Sequence, residues 1–437
     1  MIQTIDLRGS QTTRAELLAL IPRPVVDIAV ASQAAERLIA EVRTDGESAL
    51  SRHAATFDGV ADVSIAVQPA EIADAVRSLA PSVREALESA ISRVREATTA
   101  QLHAPVTTTI GPGARIHQRW QPVDRVGLYV PGGKAALASS VVMNVVPAQV
   151  AGVGSVALAS PAQRDHGGRV HPTILGAAGL LGIEEIYTMG GASAIGALAY
   201  GVPSLGLDPV DVVTGPGNIY VAAAKRLVRG VVGIDSEAGT TEILVIADGG
   251  ADARLVAADL ISQAEHDEAA ASLLVTDSED LAGAVAKNLV ELTATTTHSV
   301  RVGEALGGPQ SAIVLVDDLA AAARFSNAYG PEHLEIQTAD DDAVLGLITS
   351  AGAIFLGAHS PVSLGDYVAG SNHVLPTGGQ SRFASGLGAY TFLRPQQVIE
   401  YDRQALEAVA DQVVALARAE ALPAHGDAVA ARFTSES

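Results

Sequence analysis

Two series of short apolar runs, separated by stretches with helical periodicity, constrain the fold of this chain more than any other feature. The first series comprises "RVGLYV" (125–130), "SVALAS" (155–160), "EIYTMG" (185–190) and "DVVTG" (211–215). The second comprises "EILVIAD" (242–248), "SLLVTD" (272–277), "AIVLVDD" (312–318) and "AIFLG" (353–357). Strands that are apolar throughout and alternate with helices are typical of parallel sheets covered on both faces. Two such series therefore predict two α/β domains.

Helical patterns lie at both ends of the chain. Thr13 and Glu16 form a capping-box pattern before "LLALI", and Pro22 and Pro24 end that predicted helix. Near the C-terminus, one apolar stripe of helical spacing is formed by Leu406, Val409, Val413 and Leu416. This tail has a face to bury and little core of its own, so we expect it to pack on another domain or another subunit.

The overall charge disfavours two classes of partner. The 437 residues carry a formal net charge of −21, which disfavours nonspecific binding to nucleic acids or anionic membranes because both depend on clustered Lys and Arg. No apolar run is long enough to predict a membrane span, and the first residues do not form a signal-peptide pattern. We therefore expect a cytoplasmic protein.

The chain contains no cysteine. This excludes disulfides, thiolate metal sites and a cysteine nucleophile. A bound metal ion would need His, carboxylate or amide ligands. Any aldehyde oxidation would have to proceed without a thiohemiacetal.

The segment "ADLISQAEHDEAA" is predicted to be helical because it lies between two strands of the second series. Gln263 and His266 are three residues apart, so they share a helix face and could hold one ion. Taken alone, the segment is more typical of a capped surface helix with an incidental histidine. The H-E-x-x-H pattern of zinc hydrolases is absent.

A polar loop at 360–379 follows the last strand of the second series and contains Asp366 and His373. Open α/β sheets place their sites beyond the carboxyl ends of strands, which makes this loop a candidate. An ordinary surface loop fits the segment equally well. Glu420 and His425, in the C-terminal tail, are unremarkable on their own.

Glycine-rich turns follow several strands of the first series, at 131–135, 190–196 and 215–218. Such turns let the backbone approach a phosphate, and a helix N-terminus favours its negative charge. However, no G-x-G-x-x-G with a downstream acidic residue is present, and "GPGARI" at 111–116 lies in the wrong context. The motifs alone therefore indicate dinucleotide binding only weakly.

The stretch "NAYGPEHLEIQT" places Glu332 beside His333. Gly330 can end the preceding helix in a left-handed conformation, and Pro331 prevents its continuation. We expect both side chains on a short turn between a helix and a strand. Histidine titrates near neutrality and could remove a proton from an alcohol or water. A desolvated carboxylate could activate water, but a solvated turn without function remains the more common outcome for such a pair.

Eight collinear stretches resemble the histidinol dehydrogenase family, and they cover most of the chain. They are "VGLYVPGGKA", "SSVVMNVVPAQVAGV", "GPGNIYVAAAKRLV", "AGTTEILVIAD", "DLISQAEHD", "NAYGPEHLEI", "GDYVAGSNHVLPT" and "EALPAH". The resemblance implies oxidation of L-histidinol to L-histidine, the last step of histidine biosynthesis, with two NAD+ consumed and one Zn2+ per subunit of a homodimer. It also implies that His333 is the general base and that Glu332 activates water.

The resemblance assigns further residues position by position. The zinc ligands would be Gln263, His266, Asp366 and His425, the last supplied by the other subunit. Substrate would also contact Thr241, His333, His373 and Glu420, and Glu420 would act across the subunit boundary. The dinucleotide would lie near Tyr129, Ser193 and Asn218.

The strand pattern and the resemblance together predict an α/β fold with two incomplete Rossmann-like domains, mostly parallel sheets, and small N-terminal and C-terminal helical extensions. The expected divisions are an N-terminal arm (1–24), a discontinuous domain with the zinc and catalytic residues (25–128 and 242–384), an inserted nucleotide-binding domain (129–241), and a C-terminal tail (385–437) that packs on the partner subunit.

Three positions depart from the family pattern. Thr241 replaces a usual serine, Ser193 replaces a usual glutamine, and Leu137-Ala138 replaces a usual Tyr-Pro. None is a predicted zinc ligand or part of the acid–base pair. Two alternatives remain open: a zinc hydrolase that uses Glu332 to activate water, and a noncatalytic metabolite-binding protein on the same scaffold.

Overall fold

The structure is a computed structural model. It describes residues 2–10, 12–23, 28–61, 63–132, 136–237 and 239–433. The predicted turn at 131–135 and the predicted helix stop at Pro24 therefore lie partly outside the described residues. The chain divides into two compact units, Met1–Gln101 with Asp124–Phe392 and Leu102–Val123 with Leu393–Ser437.

The strands and helices of the described residues are numbered in chain order. The strands are β1 (Gln3–Asp6), β2 (Val106–Gly111), β3 (Ala114–Pro122), β4 (Arg125–Tyr129), β5 (Ser155–Ser160), β6 (Ile186–Thr188), β7 (Val212–Thr214), β8 (Gly233–Ile234), β9 (Glu242–Ala247), β10 (Ala271–Thr276), β11 (Ala312–Leu315), β12 (His333–Gln337), β13 (Ala353–Leu356) and β14 (Leu393–Tyr401). The helices are α1 (Arg14–Leu20), α2 (Ile28–Asp45), α3 (Glu47–His53), α4 (Pro69–Ser78), α5 (Pro81–Thr99), α6 (Ala138–Ala151), α7 (Pro172–Leu180), α8 (Gly191–Tyr200), α9 (Ile219–Val228), α10 (Ala253–Ala264), α11 (Glu279–Thr293), α12 (Ser299–Gly307), α13 (Leu319–Tyr329), α14 (Asp341–Leu345), α15 (Val362–Tyr367), α16 (Arg403–Ala419) and α17 (Pro423–Ala430).

A six-stranded parallel sheet has the order β1-β11-β10-β9-β12-β13. Every residue of β9 and β10 is buried, as expected for central strands with helices on both faces. Aliphatic residues of α10, α11 and α12 pack on one face. Residues of α1 and α13 pack on the other. The N-terminal arm is thus not purely helical, because β1 adds an edge strand to this sheet.

A five-stranded parallel sheet has the order β6-β5-β4-β7-β8. Residues of α2, α8 and α9 belong to the apolar core on one of its faces. The chain starts in the middle at β4, runs outward through β5 and β6, and then returns to β7 on the other side of β4. The carboxyl ends of β4 and β7 therefore form the switch point at which open α/β sheets bind ligands.

The two sheets share one topology. If β4 in the smaller sheet and β9 in the larger sheet are each counted as strand 1, five strands of each sheet have the order 3-2-1-4-5, which is the Rossmann order without its last strand. The larger sheet has β1 as an additional edge strand. This confirms the predicted class of two incomplete Rossmann-like folds with mostly parallel sheets. The predicted domain boundaries stay a prediction, and the five-stranded sheet itself spans Arg125–Ile234.

The second compact unit contains an antiparallel sheet that the sequence analysis did not predict. Its order is β14-β3-β2, and the hairpin between β2 and β3 turns through Gly113, whose φ is 73°. The stretch "GPGARI" is therefore this hairpin turn. The C-terminal tail is also not entirely helical, because the nine-residue β14 precedes α16 and α17. Pro395 fits β14 because an edge strand tolerates a missing backbone donor.

The predicted N-terminal helix is confirmed. Thr13 accepts a hydrogen bond from the backbone of Glu16, and the Glu16 carboxylate accepts one from the backbone of Thr13. Within the described residues, no helix combines the length and the apolar character that crossing a membrane requires. The cytoplasmic location stays a prediction.

Candidate active site

Glu332 and His333 lie where α13 gives way to β12. Gly330 ends the helix with a φ of 64°, and its N–H donates to the carbonyl of Ser326 at 2.7 Å. His333 is the first residue of β12 and does not lie on the turn, so that part of the prediction is wrong. Only 7% of Glu332 and 4% of His333 are exposed. The solvated-turn interpretation is therefore also wrong.

The Glu332 carboxylate accepts two hydrogen bonds through Oε2. Thr241 Oγ1 donates at 2.6 Å, and the backbone N–H of Glu242 donates at 2.9 Å. Gln263 Nε2 in turn donates to Thr241 Oγ1. Burial raises the pKa of Glu332 to about 8, although both hydrogen bonds oppose the shift. A carboxyl group in this range can both take and return a proton near neutral pH.

His333 is fixed by the same backbone segment. Its Nδ1 lies 3.0 Å from the carbonyl oxygen of Glu242 and 3.5 Å from Glu332 Oε2. Because both atoms are acceptors, Nδ1 carries the proton, and Nε2 keeps its lone pair. Burial lowers the pKa of His333, and the charge of Asp366 opposes that shift. The imidazole is therefore held neutral with Nε2 available as a base.

Gln263 and His266 lie at the end of α10. The helix ends at Ala264, so His266 lies in the bend beyond it and not on a shared helix face. Its Nδ1 lies 3.1 Å from the Ser262 carbonyl, which leaves Nε2 free. Gln263 is buried, and its Nε2 donates a hydrogen bond to Thr241 Oγ1. Its Oε1 is therefore the atom that could bind a cation.

Asp366 lies on α15, and His373 lies in the loop that follows. His373 Nδ1 is 3.0 Å from the backbone oxygen of Asp366, and its Nε2 is 3.1 Å from Ser140 Oγ. Burial lowers the pKa of His373, and interactions with Asp366, His333 and His266 also act on it. These interactions place the predicted residues of the 360–379 loop near the acid–base pair. The assignment of Asp366 and His373 to the site stays a prediction.

We call Thr241, Gln263, Glu332 and His333 the acid–base corner. It lies at the amino edge of the six-stranded sheet, because Glu242 and His333 begin adjacent strands. The sequence analysis predicted a position beyond the carboxyl ends of strands only for the 360–379 loop, and it placed Glu332 and His333 on the N-terminal side of a strand, which is the edge where the structure has them. The C-terminus of α10 reaches this edge, and helix C-termini favour cations.

Arg23 and Glu242 support the corner and were missed by the sequence analysis. The Arg23 guanidinium pairs with the buried Glu242 carboxylate at 2.5 and 3.1 Å and stacks over the ring of Tyr329, 3.8 Å from its centroid. Arg23 lies 219 positions from Glu242, so no local spacing indicates this contact.

No group of three or more His, Cys, Asp or Glu side chains in the described parts of the chain is arranged to hold a metal ion. The predicted zinc site does not need such a group within one subunit. Of its ligands, only His266 and Asp366 are residues of these types that come from the same subunit. Gln263 is an amide, and His425 is assigned to the partner subunit.

Glu420 and His425 belong to the second compact unit. Glu420 caps the end of α16, and His425 lies in α17. Ala421, directly after Glu420, has a φ of 57° and is the only non-glycine among the described residues with a positive φ. Such backbone strain is often found at functional positions. The assignment of both residues to a shared site stays a prediction.

Tyr129, Ser193 and Asn218 lie by the glycine-rich turns of the five-stranded sheet, and we call these three residues with their turns the glycine-turn region. Tyr129 ends β4, and its hydroxyl accepts a hydrogen bond from the N–H of Gly191 at 3.1 Å. Ser193 lies in the first turn of α8. Asn218 caps α9 through Oδ1, at 3.0 Å from the backbone nitrogen of Tyr220.

The turn before α9 is held by a buried ion pair that the sequence analysis also missed. Lys225 forms an ion pair with Asp235. Lys225 Nζ also donates to the carbonyl oxygen of Gly215 at 3.0 Å, and the N–H of Gly215 donates to Asp235 Oδ2 at 2.9 Å. Gly215 has a φ of 119°, and a Cβ there would lie 2.0 Å from the oxygen of Tyr129. Only glycine lets these two strand ends approach so closely.

Comparisons with known proteins identify the family. A sequence model of the histidinol dehydrogenase family matches residues 21–433. A histidinol dehydrogenase from Leifsonia xyli is 69% identical over 432 residues, 99% of each chain. One from Mycobacterium tuberculosis is 55% identical over 436 residues, 99% of this chain and 98% of that one. The crystal structure of histidinol dehydrogenase from Elizabethkingia anophelis has a TM-score of 0.92 at 32% identity and covers 99% of this chain and 98% of that one. As its eight motifs predict, the chain belongs to the histidinol dehydrogenase family of oxidoreductases.

Proposed function

We propose that the protein oxidises L-histidinol to L-histidine through the aldehyde, with NAD+ as electron acceptor and a bound zinc ion. The observation that carries this proposal is the buried Glu332–His333 pair in a chain without cysteine. One partner has a free imidazole nitrogen, and the other is a carboxyl group whose pKa is about 8. Such a pair can serve both oxidation steps without a thiol.

His333 is the general base for the alcohol. Its Nδ1–H is fixed on the Glu242 carbonyl, so Nε2 can take the hydroxyl proton as the carbon–hydrogen bond breaks. NAD+, when bound, accepts the hydride in each of the two oxidations.

Glu332 activates the water that becomes the second oxygen of the acid. Its carboxylate lies within the same buried corner and takes a proton from water as that water adds to the aldehyde. His333 returns the alcohol proton to the aldehyde oxygen as the water adds, and it then accepts a proton of the hydrated aldehyde as the second hydride leaves. The two side chains thus divide the work between substrate oxygen and water.

The donor atoms fit a zinc ion. Gln263 Oε1, His266 Nε2 and the Asp366 carboxylate would hold it together with His425 of the partner subunit, an N/O set that zinc accepts. Zinc, when bound, would orient the amine and imidazole of the substrate.

The glycine-turn region is proposed to bind NAD+. Tyr129 and the Gly215 turn lie at the switch point of a Rossmann-ordered sheet, and α8 and α9 begin beside them with their N-termini toward the same edge. These features support a dinucleotide site whose phosphates meet helix N-termini.

The protein is proposed to be a homodimer in which Glu420 and His425 complete the partner's site. Inactive His266→Ala and His425→Ala variants should then recover part of the activity when mixed, because one site of each heterodimer is intact. Exchange of subunits is verified by mass spectrometry. Exchange without recovered activity would contradict the shared site.

The decisive assay combines zinc-loaded protein with L-histidinol and NAD+ at mildly alkaline pH. We expect two NADH for each L-histidine. Absence of NADH would reject the proposal, and release of product from an ester or amide instead would support a zinc hydrolase. Binding of histidinol without turnover would indicate a noncatalytic protein.

Zinc binding is tested separately by calorimetry with metal-free protein. His266→Ala should weaken it, whereas the matched control His359→Ala changes an exposed histidine outside the proposed ligand set. Equal zinc affinity of both variants and the unmodified protein would contradict the ligand assignment.

A further inference from the structure

Helix α6 contains a proline in its interior. Pro147 has no N–H, so the carbonyl of Met143, four residues earlier, lacks the donor that an α-helix normally supplies. Met143 is fully buried, so water does not reach this carbonyl either. A buried carbonyl without a donor is costly, and a neighbouring polar group is expected to supply the hydrogen bond.

The donor comes from the loop that carries His373. Asn372 Nδ2 donates to the Met143 carbonyl at 2.6 Å. The other end of the same amide, Oδ1, accepts a hydrogen bond from the N–H of Val374 at 2.9 Å. The Asn372 side chain therefore connects the backbone on both sides of His373 to the proline gap in α6.

The His373 ring is held by the same helix. Its Nε2 lies 3.1 Å from Ser140 Oγ, about one helical turn before Met143, and its Nδ1 lies 3.0 Å from the carbonyl oxygen of Asp366. The His373 side chain keeps 14% of its surface exposed, so a small molecule can still reach the ring. Helix α6 thus contacts both the ring of His373 and the residue before it.

Helix α6 is anchored to the five-stranded sheet at the same turn. Asn144, next to Met143, donates to the carbonyl of Ser140 at 2.7 Å and accepts from Thr214 Oγ1 at 2.8 Å. Asn144 and Thr214 are fully buried. Because Thr214 ends β7, an inner strand of that sheet, the part of α6 that holds His373 has a fixed support.

We propose that Pro147 and Asn372 are positioning residues for His373: the proline leaves one carbonyl of α6 without its helical donor, and the asparagine uses that carbonyl to hold His373 toward the substrate. The inference rests on the proposed function, in which His373 contacts L-histidinol. It also accounts for a proline in the interior of a buried helix, where proline otherwise only weakens the helix.

The first test measures the Kd of the zinc-loaded protein for L-histidinol by calorimetry, together with kcat and KM in the presence of NAD+. Asn372→Ala should raise the Kd and the KM for L-histidinol by about 3- to 10-fold, because His373 is no longer held for its contact with the substrate. The kcat at saturating L-histidinol should change little. Asn288→Ala is the matched control, because Asn288 Nδ2 also donates to a helix carbonyl, that of Ala284, outside the site. It should leave all three constants unchanged.

Asn372→Ser separates the contact with α6 from the local turn. A serine hydroxyl can still accept from the N–H of Val374, but it is too short to reach the Met143 carbonyl. Asn372→Ser should therefore raise the Kd for L-histidinol as much as Asn372→Ala does. An affinity that serine restores would assign the effect to the turn and overturn the inference.

A second test asks whether Asn372 acts through His373. In a His373→Ala background, Asn372→Ala should not weaken the binding of L-histidinol further, because the ring that it positions is already absent. Losses of affinity that add in the double variant would show a purely structural effect of Asn372 on the site, and they would overturn the positioning role.

A third test measures the free energy of unfolding in urea. Pro147→Ala restores an N–H that can donate to the Met143 carbonyl, so Asn372→Ala should cost less stability in that background than in the unmodified protein. Equal costs in both backgrounds would show that Asn372 does not compensate for the missing donor of Pro147, and the role of the proline would fall.

Failure of this inference and failure of the proposed function give different results. An unmodified, zinc-loaded enzyme that neither binds nor oxidises L-histidinol would overturn the proposed function. Normal affinity of Asn372→Ala for L-histidinol, in an enzyme that does oxidise it, would overturn only this inference.

Discussion

The acid–base corner and the glycine-turn region lie on sheets with the same strand order, but at opposite edges. Glu242 and His333 begin β9 and β12, whereas Tyr129 ends β4 and Gly215 directly follows β7. The carboxyl edge presents helix N-termini, which favour phosphates, and the amino edge receives the end of α10, which favours cations. One topology used twice can therefore offer sites of opposite electrostatic preference.

The two regions also differ in how their side chains are held. In the acid–base corner, Gln263 donates to Thr241, and Thr241 donates to Glu332, so the predicted residues hold one another. In the glycine-turn region, Ser193 is tied to His53, and Asn218 is tied to the backbone of its own helix. Changes should therefore propagate in the first region and stay local in the second.

The largest expected effect tests the division of labour in the acid–base corner. Glu332→Gln keeps an acceptor for Thr241 but cannot take a proton from water, so aldehyde oxidation should slow by about 10²- to 10⁴-fold. Alcohol oxidation should slow much less. Stopped-flow measurements of NADH formation from the alcohol and from the aldehyde separate the two steps.

Glu335→Gln is the matched control for that variant, because it makes the same change in another fully buried glutamate of the same segment. It should affect aldehyde oxidation far less than Glu332→Gln. Equal losses in both half-reactions of Glu332→Gln would show that Glu332 has no special role toward water.

The next effect tests propagation. Thr241→Val removes the hydroxyl that connects Gln263 to Glu332. Because this hydroxyl donates to a carboxylate, its loss should lower kcat by on the order of 10- to 100-fold. Zinc affinity should also fall, because Gln263 loses its partner. Thr241→Ser keeps the hydroxyl and should retain both properties. A kinetic loss in Thr241→Val with unchanged zinc affinity would show that the corner is not coupled.

The sequence predicts part of this architecture for identifiable reasons. The continuous aliphatic runs of β9 and β10 indicate buried parallel strands, and the "GPEH" motif indicates the acid–base pair. By contrast, β14 is exposed along most of its length and mixes polar residues with the exposed Val398 and Ile399, so its pairing with β3 leaves no buried apolar pattern. Arg23 and His53 support the two regions through contacts with residues 219 and 140 positions away, so no motif contains both partners. Lys225 shares a motif with Gly215, but Asp235, the other member of its ion pair, lies outside that motif.

A third effect contrasts two buried glutamates near the start of β12. Glu332 accepts hydrogen bonds from Thr241 and from the backbone of Glu242, whereas the Glu335 carboxyl group interacts with the side chains of Gln337 and Asp259. Burial and the charge of Asp259 raise the pKa of Glu335 to about 9. Because this folded-state pKa lies above the ordinary value of 4.5, folding favours the protonated form. The contribution is present at low pH and is lost as the pH rises toward about 9.

Glu335→Gln carries no titrating proton and should therefore lose less stability between pH 6 and pH 9 than the unmodified protein. The free energy of unfolding, measured by urea denaturation at several pH values, checks this expectation. Glu332→Gln should flatten the same pH profile less, because hydrogen bonds from Thr241 and Glu242 partly compensate its burial. A profile that is unchanged by Glu335→Gln would remove the contrast between the two glutamates.

The smallest expected effect tests whether changes in the glycine-turn region stay local. Asn218→Ala removes the N-cap of α9, which should cost about 1 kcal/mol of stability. Asn218→Asp keeps an oxygen that can accept from the backbone of Tyr220, so its stability should remain close to that of the unmodified protein. Both variants lose the amide, so a similar fall in NAD+ affinity would assign the amide to the dinucleotide. A fall confined to Asn218→Ala would assign it to the cap. Neither variant should change zinc affinity, and a change would show that the two edges are coupled.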